Sequence, residues 1–174
     1  YEHMLDLCEI THTDAWICVP HQASDEYVRA LAELCFRGLT TQKLWLEYSN
    51  EVWNDQFTQA TYCRQKGTAL GLGDPNEAKL RYYAKRSVEI FSIFDQVYGS
   101  LAKERLVKVL AGQAEAWGFA PITLDARVKW LPAGASLPLD MAAAACADVW
   151  AIAPYFGGGI TNATAVGDVL AQCL

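Results

Sequence analysis

The chain of 174 residues has little positive charge to spare: 14 Lys and Arg stand against 20 Asp and Glu, for a net charge of -6. No basic stripe is available to neutralise phosphates, which excludes a nucleic-acid partner. No apolar run approaches the roughly 18–20 residues needed to span a bilayer, so no membrane-spanning helix is expected. The six cysteines, at 8, 18, 35, 63, 146 and 173, form no CxxC and no Cys/His cluster at ligand spacing. A metal is therefore not implied, and the plain reading of the thiols is as buried small hydrophobes. Their state does not fix a compartment. Nucleotide loops are missing too. Gly71-Leu72-Gly73 follows no strand and lacks a third glycine, and Gly157-Gly158-Gly159 follows a strand but brings no Lys. No organic cofactor is implied. Asn162-Ala163-Thr164 is a glycosylation sequon that matters only in a eukaryotic secretory setting.

What is present is a core. Hydrophobic residues make up 52% and charged residues 20%, a balance that suits one folded domain rather than a disordered chain. Residues 2–13 read as the end of a helix, with Met4, Leu5 and Cys8 on one side. Ala15 to His21 is a short apolar run closed by Pro20, of the fully buried strand kind. Ser24 caps a helix that carries Val28, Leu31, Ala32 and Cys35 on its apolar face and closes at Gly38. A strand at 44–51 follows. Residues 56–66 have helical character, and a glycine-rich connection leads to the clearest helix, 76–98, with Leu80, Ala84, Val88 and Phe91 as its stripe. A strand at 105–113 comes next. Residues 117–140 read as irregular with a short helix near 125–130, and 140–146 as a further helix. Asp148 to Phe156 is the fourth strand, and 163–173 the last helix. Alternating helices and short apolar strands predict an α/β fold with a parallel sheet.

The chemistry concentrates in Lys43 to Asn54. Leu44, Leu46 and Tyr48 fall on one face of the strand, and Trp45, Glu47, Ser49 and Glu51 on the other. Two carboxylates on one face of a buried strand are costly unless each has a partner or a task. Glu51 stands at the strand's carboxyl end, where α/β folds place their active groups. If the four strands are parallel neighbours, His21, Asn50, Glu51, Gln113 and Tyr155 share one rim, with Trp53 and Phe156 as aromatic surface beside them. A carboxyl group among amides, a phenol and indole walls suits a sugar: rings pack on aromatic faces, polar groups bond the hydroxyls, and a half-dry acid can protonate a leaving oxygen. Glu47, four residues back and deeper on the same face, is expected to support Glu51. Trp16, Trp45 and Trp150 are expected in the core, and Glu115 is the only nearby later acid.

Trp45-Leu46-Glu47-Tyr48-Ser49-Asn50-Glu51 resembles the fourth-strand motif of clan A glycoside hydrolases, the (β/α)8-barrel group that includes many cellulases and mannanases. The longer string Glu47 to Asn54 is similar to a bacterial group described as cellulose-binding or glycosidase-like. The resemblance implies Glu51 as general acid/base and Asn50 as a ligand of the sugar 2-hydroxyl. It implies His21 as a third-strand contact and Tyr155 as the sixth-strand tyrosine that orients the nucleophile. Trp53 and Gln113 join them as candidate substrate contacts. Two departures stand out: Val52 and Trp53 follow where many members carry proline, and no seventh-strand glutamate appears before Leu174.

On that register residues 1–174 hold strands three to six, a parallel half of a TIM-type barrel, since a full barrel needs about 200–250 residues. The chain also opens at Tyr1 in mid-pattern, as a piece of something longer would. The expected function is that of a retaining hydrolase of β-linked oligo- or polysaccharide with its nucleophile outside the chain, the isolated piece being inactive or nearly so. The resemblance favours a secreted or periplasmic protein. An open half barrel should pair with the remainder or with itself through its edge strands. The alternatives are a non-catalytic carbohydrate-binding or structural barrel derivative and a small doubly wound domain, with Glu51 as an ordinary structural acid.

Overall fold

The computed structural model describes residues 1–114 and 116–154. Helix α1 (Glu2–Thr11) leads into strand β1 (Ala15–Val19), helix α2 (Asp25–Gly38) and strand β2 (Leu44–Tyr48). Two helices, α3 (Thr58–Ala69) and α4 (Pro75–Tyr98), then precede one 3-10 turn (Gly99–Leu101), the short helix α5 (Ala102–Arg105) and strand β3 (Leu106–Gln113). Helix α6 (Phe119–Leu124), the antiparallel pair β4 (Arg127–Trp130) and β5 (Leu139–Ala142), and a second 3-10 turn (Ala143–Cys146) lead to strand β6 (Val149–Ala153). β1, β2, β3 and β6 form one sheet in that order, every neighbour parallel. The described protein is thus α/β with a four-stranded parallel sheet. Among the described residues the sheet neighbours follow chain order, and β1 and β6 are its edges.

The local causes are conventional. Ser24 caps α2 by accepting from the Tyr27 amide at 3.2 Å, and Asp74 caps α4 through the Asn76 and Glu77 amides at 2.9 and 3.2 Å, with Pro75 fitting the first helical turn. Gly99, at φ 57°, ends α4 in a backbone region that side chains rarely enter. One face of the sheet is dry. Ala15, Ile17 and Val19 stand in register with Leu44, Leu46 and Tyr48, and all six are buried in a core shared with Val28, Leu31 and Cys35 of α2 and Ala84, Val88 and Phe91 of α4. α4 lies against both α2 and β2. A charge pair at the sheet, Asp95 with Lys108 of β3 at 3.3 Å, is shared with the Trp130 indole, which donates to Asp95 at 2.9 Å. The opposite face of the sheet is more open: Trp16, the second residue of β1, is 46% exposed.

Several sequence expectations are corrected. Residues 125–130 are not helical: Arg127–Trp130 pairs with Leu139–Ala142 as a hairpin, and only a single 3-10 turn remains of the helix expected at 140–146. Lys129 reaches the Asp140 carboxylate at 2.6 Å across this ladder, and Val128 is the one buried residue of β4. A four-residue strand with one inward side chain carries too little alternation to be told from a helical turn. Strand and helix do not alternate strictly, since α3 and α4 share one crossover. β1 and β2 also stop earlier than expected, at Val19 and Tyr48, so His21 and Glu51 lie in the loops beyond them. The helix expected at 163–173 lies outside the described residues.

α3 and α4 approach so closely that a Cβ on Gly67 would fall 2.0 Å from the Ala78 carbonyl oxygen. Backbone cannot yield as a flexible side chain can, so this clash outweighs the roughly 1 kcal/mol of helix propensity that alanine adds. Gly67→Ala should lower stability by about 1–3 kcal/mol, read as a reduced urea midpoint at unchanged slope. A midpoint equal to or above that of the parent would show that the helix pair slides apart freely.

Candidate functional site

The site begins where β2 releases the chain. Ser49 and Glu51 both hold left-handed backbone, at φ 61° and 50°, on either side of Asn50. For residues with a side chain this costs about 1–2 kcal/mol each and persists only where the surroundings dictate it. Here they do. The Ser49 amide donates to the Val19 carbonyl at 2.7 Å, tying the turn to the end of β1. Gln59 of α3 donates to the Asn50 carbonyl at 2.7 Å, and the Asn54 amide closes on the Glu51 carbonyl at 2.9 Å. Lys79, only 2% exposed on α4, donates to the Trp53 carbonyl at 3.0 Å and pairs with Asp55 at 2.5 Å; Arg64 holds the same Asp55 oxygen at 2.6 Å. The bend that presents Asn50 and Glu51 is therefore braced from β1, α3 and α4 at once.

Residues of β1, β2, β3 and β6 and of the turn after β2 line an open cavity of about 190 Å³. Its polar lining is Asn50, Glu51 and Glu47, its aromatic lining Trp16 and Trp53, and small residues of β3 and β6, among them Ala111, Gly112 and Ala151, form its floor. Asn54 donates from its amide to Glu51 Oε2 at 3.2 Å, which orients that carboxyl group. Glu47 is 6% exposed. Its Oε2 accepts from the Trp16 indole at 3.0 Å and lies 3.8 Å from the Cys18 thiol. Burial raises the Glu47 pKa above the ordinary carboxylate range, and the indole and thiol bonds offset only part of that.

Of the residues singled out by sequence, Asn50, Glu51 and Trp53 meet in this cavity. His21 does not line it: its ring packs edge-on against Tyr62 of α3, with centroids 5.2 Å apart, and lies 3.3 Å from the Gln22 amide, while its carbonyl accepts from the Tyr48 hydroxyl at 2.9 Å. Gln113 ends β3 opposite Ala153, half-buried and outside the lining. Tyr155 and Glu115 lie outside the described residues. Two lining residues, Trp16 and Glu47, were expected as core and support. Period-two alternation placed them on adjacent strands, but only the register, which sets Trp16 opposite Trp45 and Cys18 opposite Glu47, joins the indole to the acid.

A larger hollow, about 730 Å³, lies between the α3–α4 loop and α6. Its cations are already paired, Arg81 with Glu77 at 2.9 Å, Lys85 with Glu89 and Arg127 with Asp140. Among the described residues no group of three His, Cys, Asp or Glu could hold a metal ion, and no helix is long and apolar enough to cross a membrane. Comparison with protein-family models, with curated proteins and with solved structures finds no match for this chain.

The raised Glu47 pKa has a signed consequence. The folded state holds the Glu47 proton more tightly than the unfolded state, so its contribution favours folding below pH 4.5 and is lost as pH rises towards the folded value. Glu47→Gln removes that loss. Denaturation at a series of pH values should find the variant gaining on the parent as pH rises from 4.5, whereas a difference independent of pH would contradict the assignment.

Proposed function

We propose that the cavity at the end of β2 is a carbohydrate site of the glycoside-hydrolase type, with Glu51 as general acid/base. The observation that carries this reading is the meeting of one amide, two carboxyl groups and two indoles in a single small cavity at the carboxyl ends of parallel strands. Indole faces suit the apolar faces of pyranose rings, and the Asn50 amide suits a ring hydroxyl. The strained, three-way braced turn under Asn50 and Glu51 fits a site whose geometry has to be held. Strand order that follows chain order, all parallel, is also what consecutive strands of a (β/α)8 barrel require.

In this reading the sheet is strands three to six of such a barrel. Glu51, protonated, gives its proton to the glycosidic oxygen as the bond to the anomeric carbon breaks. A second carboxylate about 5–5.5 Å away attacks that carbon, and Glu51 then takes a proton from the water that releases the sugar. That second carboxylate comes from outside the described residues, and the sheet edges at β1 and β6 are where the rest of the barrel, or a second copy, would pair. Without a nucleophile the same cavity is a binding site, and the protein a non-catalytic carbohydrate-binding one.

Glu51→Gln tests the acid/base role. In the form of the protein that hydrolyses unactivated β-glycosides, the substitution should lower kcat by about 10²–10⁴-fold and leave oligosaccharide affinity nearly unchanged. Undiminished turnover in that variant would remove Glu51 from the mechanism.

A further inference from the structure

The Trp16–Glu47 pair carries more than structural support. Trp16, the second residue of β1, has 46% of its surface exposed, far more than a core tryptophan shows. It is not loose. Its ring stacks on Trp45 with centroids 5.4 Å apart and planes within 12°, and the Trp45 indole is anchored on Asp14 at 3.2 Å. Its own N–H is committed to Glu47 Oε2. One side of the Trp16 ring is thus covered, its in-plane orientation is locked, and the remaining surface stays open beside the cavity. Glu47 is built unevenly. Both of its hydrogen bonds, from Trp16 and from Cys18, go to Oε2, and Oε1 makes none among the described residues. Glu47 also lines the cavity that contains Glu51, which leaves Oε1 available to a ligand there.

We propose that Trp16 and Glu47 form a second sugar subsite next to Glu51, the open indole surface taking one pyranose ring and Glu47 Oε1 bonding one of its hydroxyls. The inference rests on the carbohydrate reading of the cavity and assigns to it a length preference: a ligand that only fills the Glu51 end cannot use Trp16. The raised Glu47 pKa fits this use, because a neutral carboxyl can donate to a hydroxyl that an ionised one could only accept from. Glu47 is a positioning and binding group here, with no part in bond breaking. The locked Trp16 ring meets the ligand without first losing rotamer freedom.

Calorimetric titration of the protein with cellobiose and with cellotetraose separates the outcomes. The parent should bind cellotetraose at least tenfold more tightly than cellobiose. Trp16→Ala and Glu47→Ala should each lose most of that advantage, whereas Trp117→Ala, on the surface outside the cavity lining, should keep it. Glu47→Gln, which keeps a donor and an acceptor, should retain the advantage. Trp16→Phe keeps an apolar ring but no N–H; should Trp16→Ala fail to fold, an intermediate loss in Trp16→Phe supports the pair. If the parent binds both sugars and Trp16→Phe and Glu47→Ala bind cellotetraose as the parent does, the second subsite is wrong and the Glu51 site survives. If the parent binds neither sugar, the carbohydrate reading fails with it.

Discussion

Two tyrosines on the dry side of the sheet hold the site in shape. Tyr48, the last residue of β2, stacks on Tyr83 of α4 with ring centroids 5.9 Å apart. The Tyr48 hydroxyl donates to the carbonyl of His21 just beyond β1, while the Tyr83 hydroxyl accepts from the amide of Ala111 in β3, two residues past the last β2–β3 pair. A single aromatic contact thus links the carboxyl ends of three strands through one helix. Both hydroxyls are buried, and burial pushes both phenols well above their ordinary pKa, so they remain neutral hydrogen-bonding groups. Buried phenols without such partners would cost about 1–3 kcal/mol each. Their satisfaction by the backbone of β1 and β3 fixes the relative heights of the strand ends.

The opposite side of the same strand end carries the polar chemistry. Glu47 points away from the tyrosines because side chains alternate along β2, and it meets Trp16 because β1 and β2 pair in the register that sets Cys18 opposite Glu47. Just beyond, the chain leaves the sheet through two left-handed residues that place Asn50 and Glu51 at the cavity. The buried Lys79 from α4 and Gln59 from α3 hold that loop by its carbonyls. Dry core, braced turn and cavity are successive consequences of one strand with two unlike faces.

The elements with long, regular patterns were legible in the sequence. α4, α2 and the four parallel strands follow from apolar periodicity, caps and closing glycines, and Asn50, Glu51 and Trp53 from their place after β2. The β4–β5 hairpin was not legible, because four-residue strands with one buried side chain lack a readable period. Nor were the early ends of β1 and β2: Ser49 and Glu51 leave the ladder by taking left-handed backbone, which nothing in their side chains announces. His21 was misplaced relative to the cavity because β1 ends at Val19 and a turn, closed by the Ala23 amide on the Pro20 carbonyl, carries its ring to Tyr62. The Trp16–Glu47 contact depends on register between strands separated by α2, and register is invisible in one strand read alone.

The central claim is that this strand-end cavity takes a sugar. Six tryptophans report on it independently: Trp16 and Trp53 line the cavity, Trp117 stands exposed on the surface, and Trp130 is bonded to Asp95. Indole N–H signals recorded by ¹⁵N-resolved NMR during titration with cellotetraose would locate the ligand directly. The account predicts saturable shifts at Trp16 and Trp53 with Trp117 and Trp130 unmoved. No shifts at any concentration, or shifts confined to Trp117 or Trp130, would contradict it.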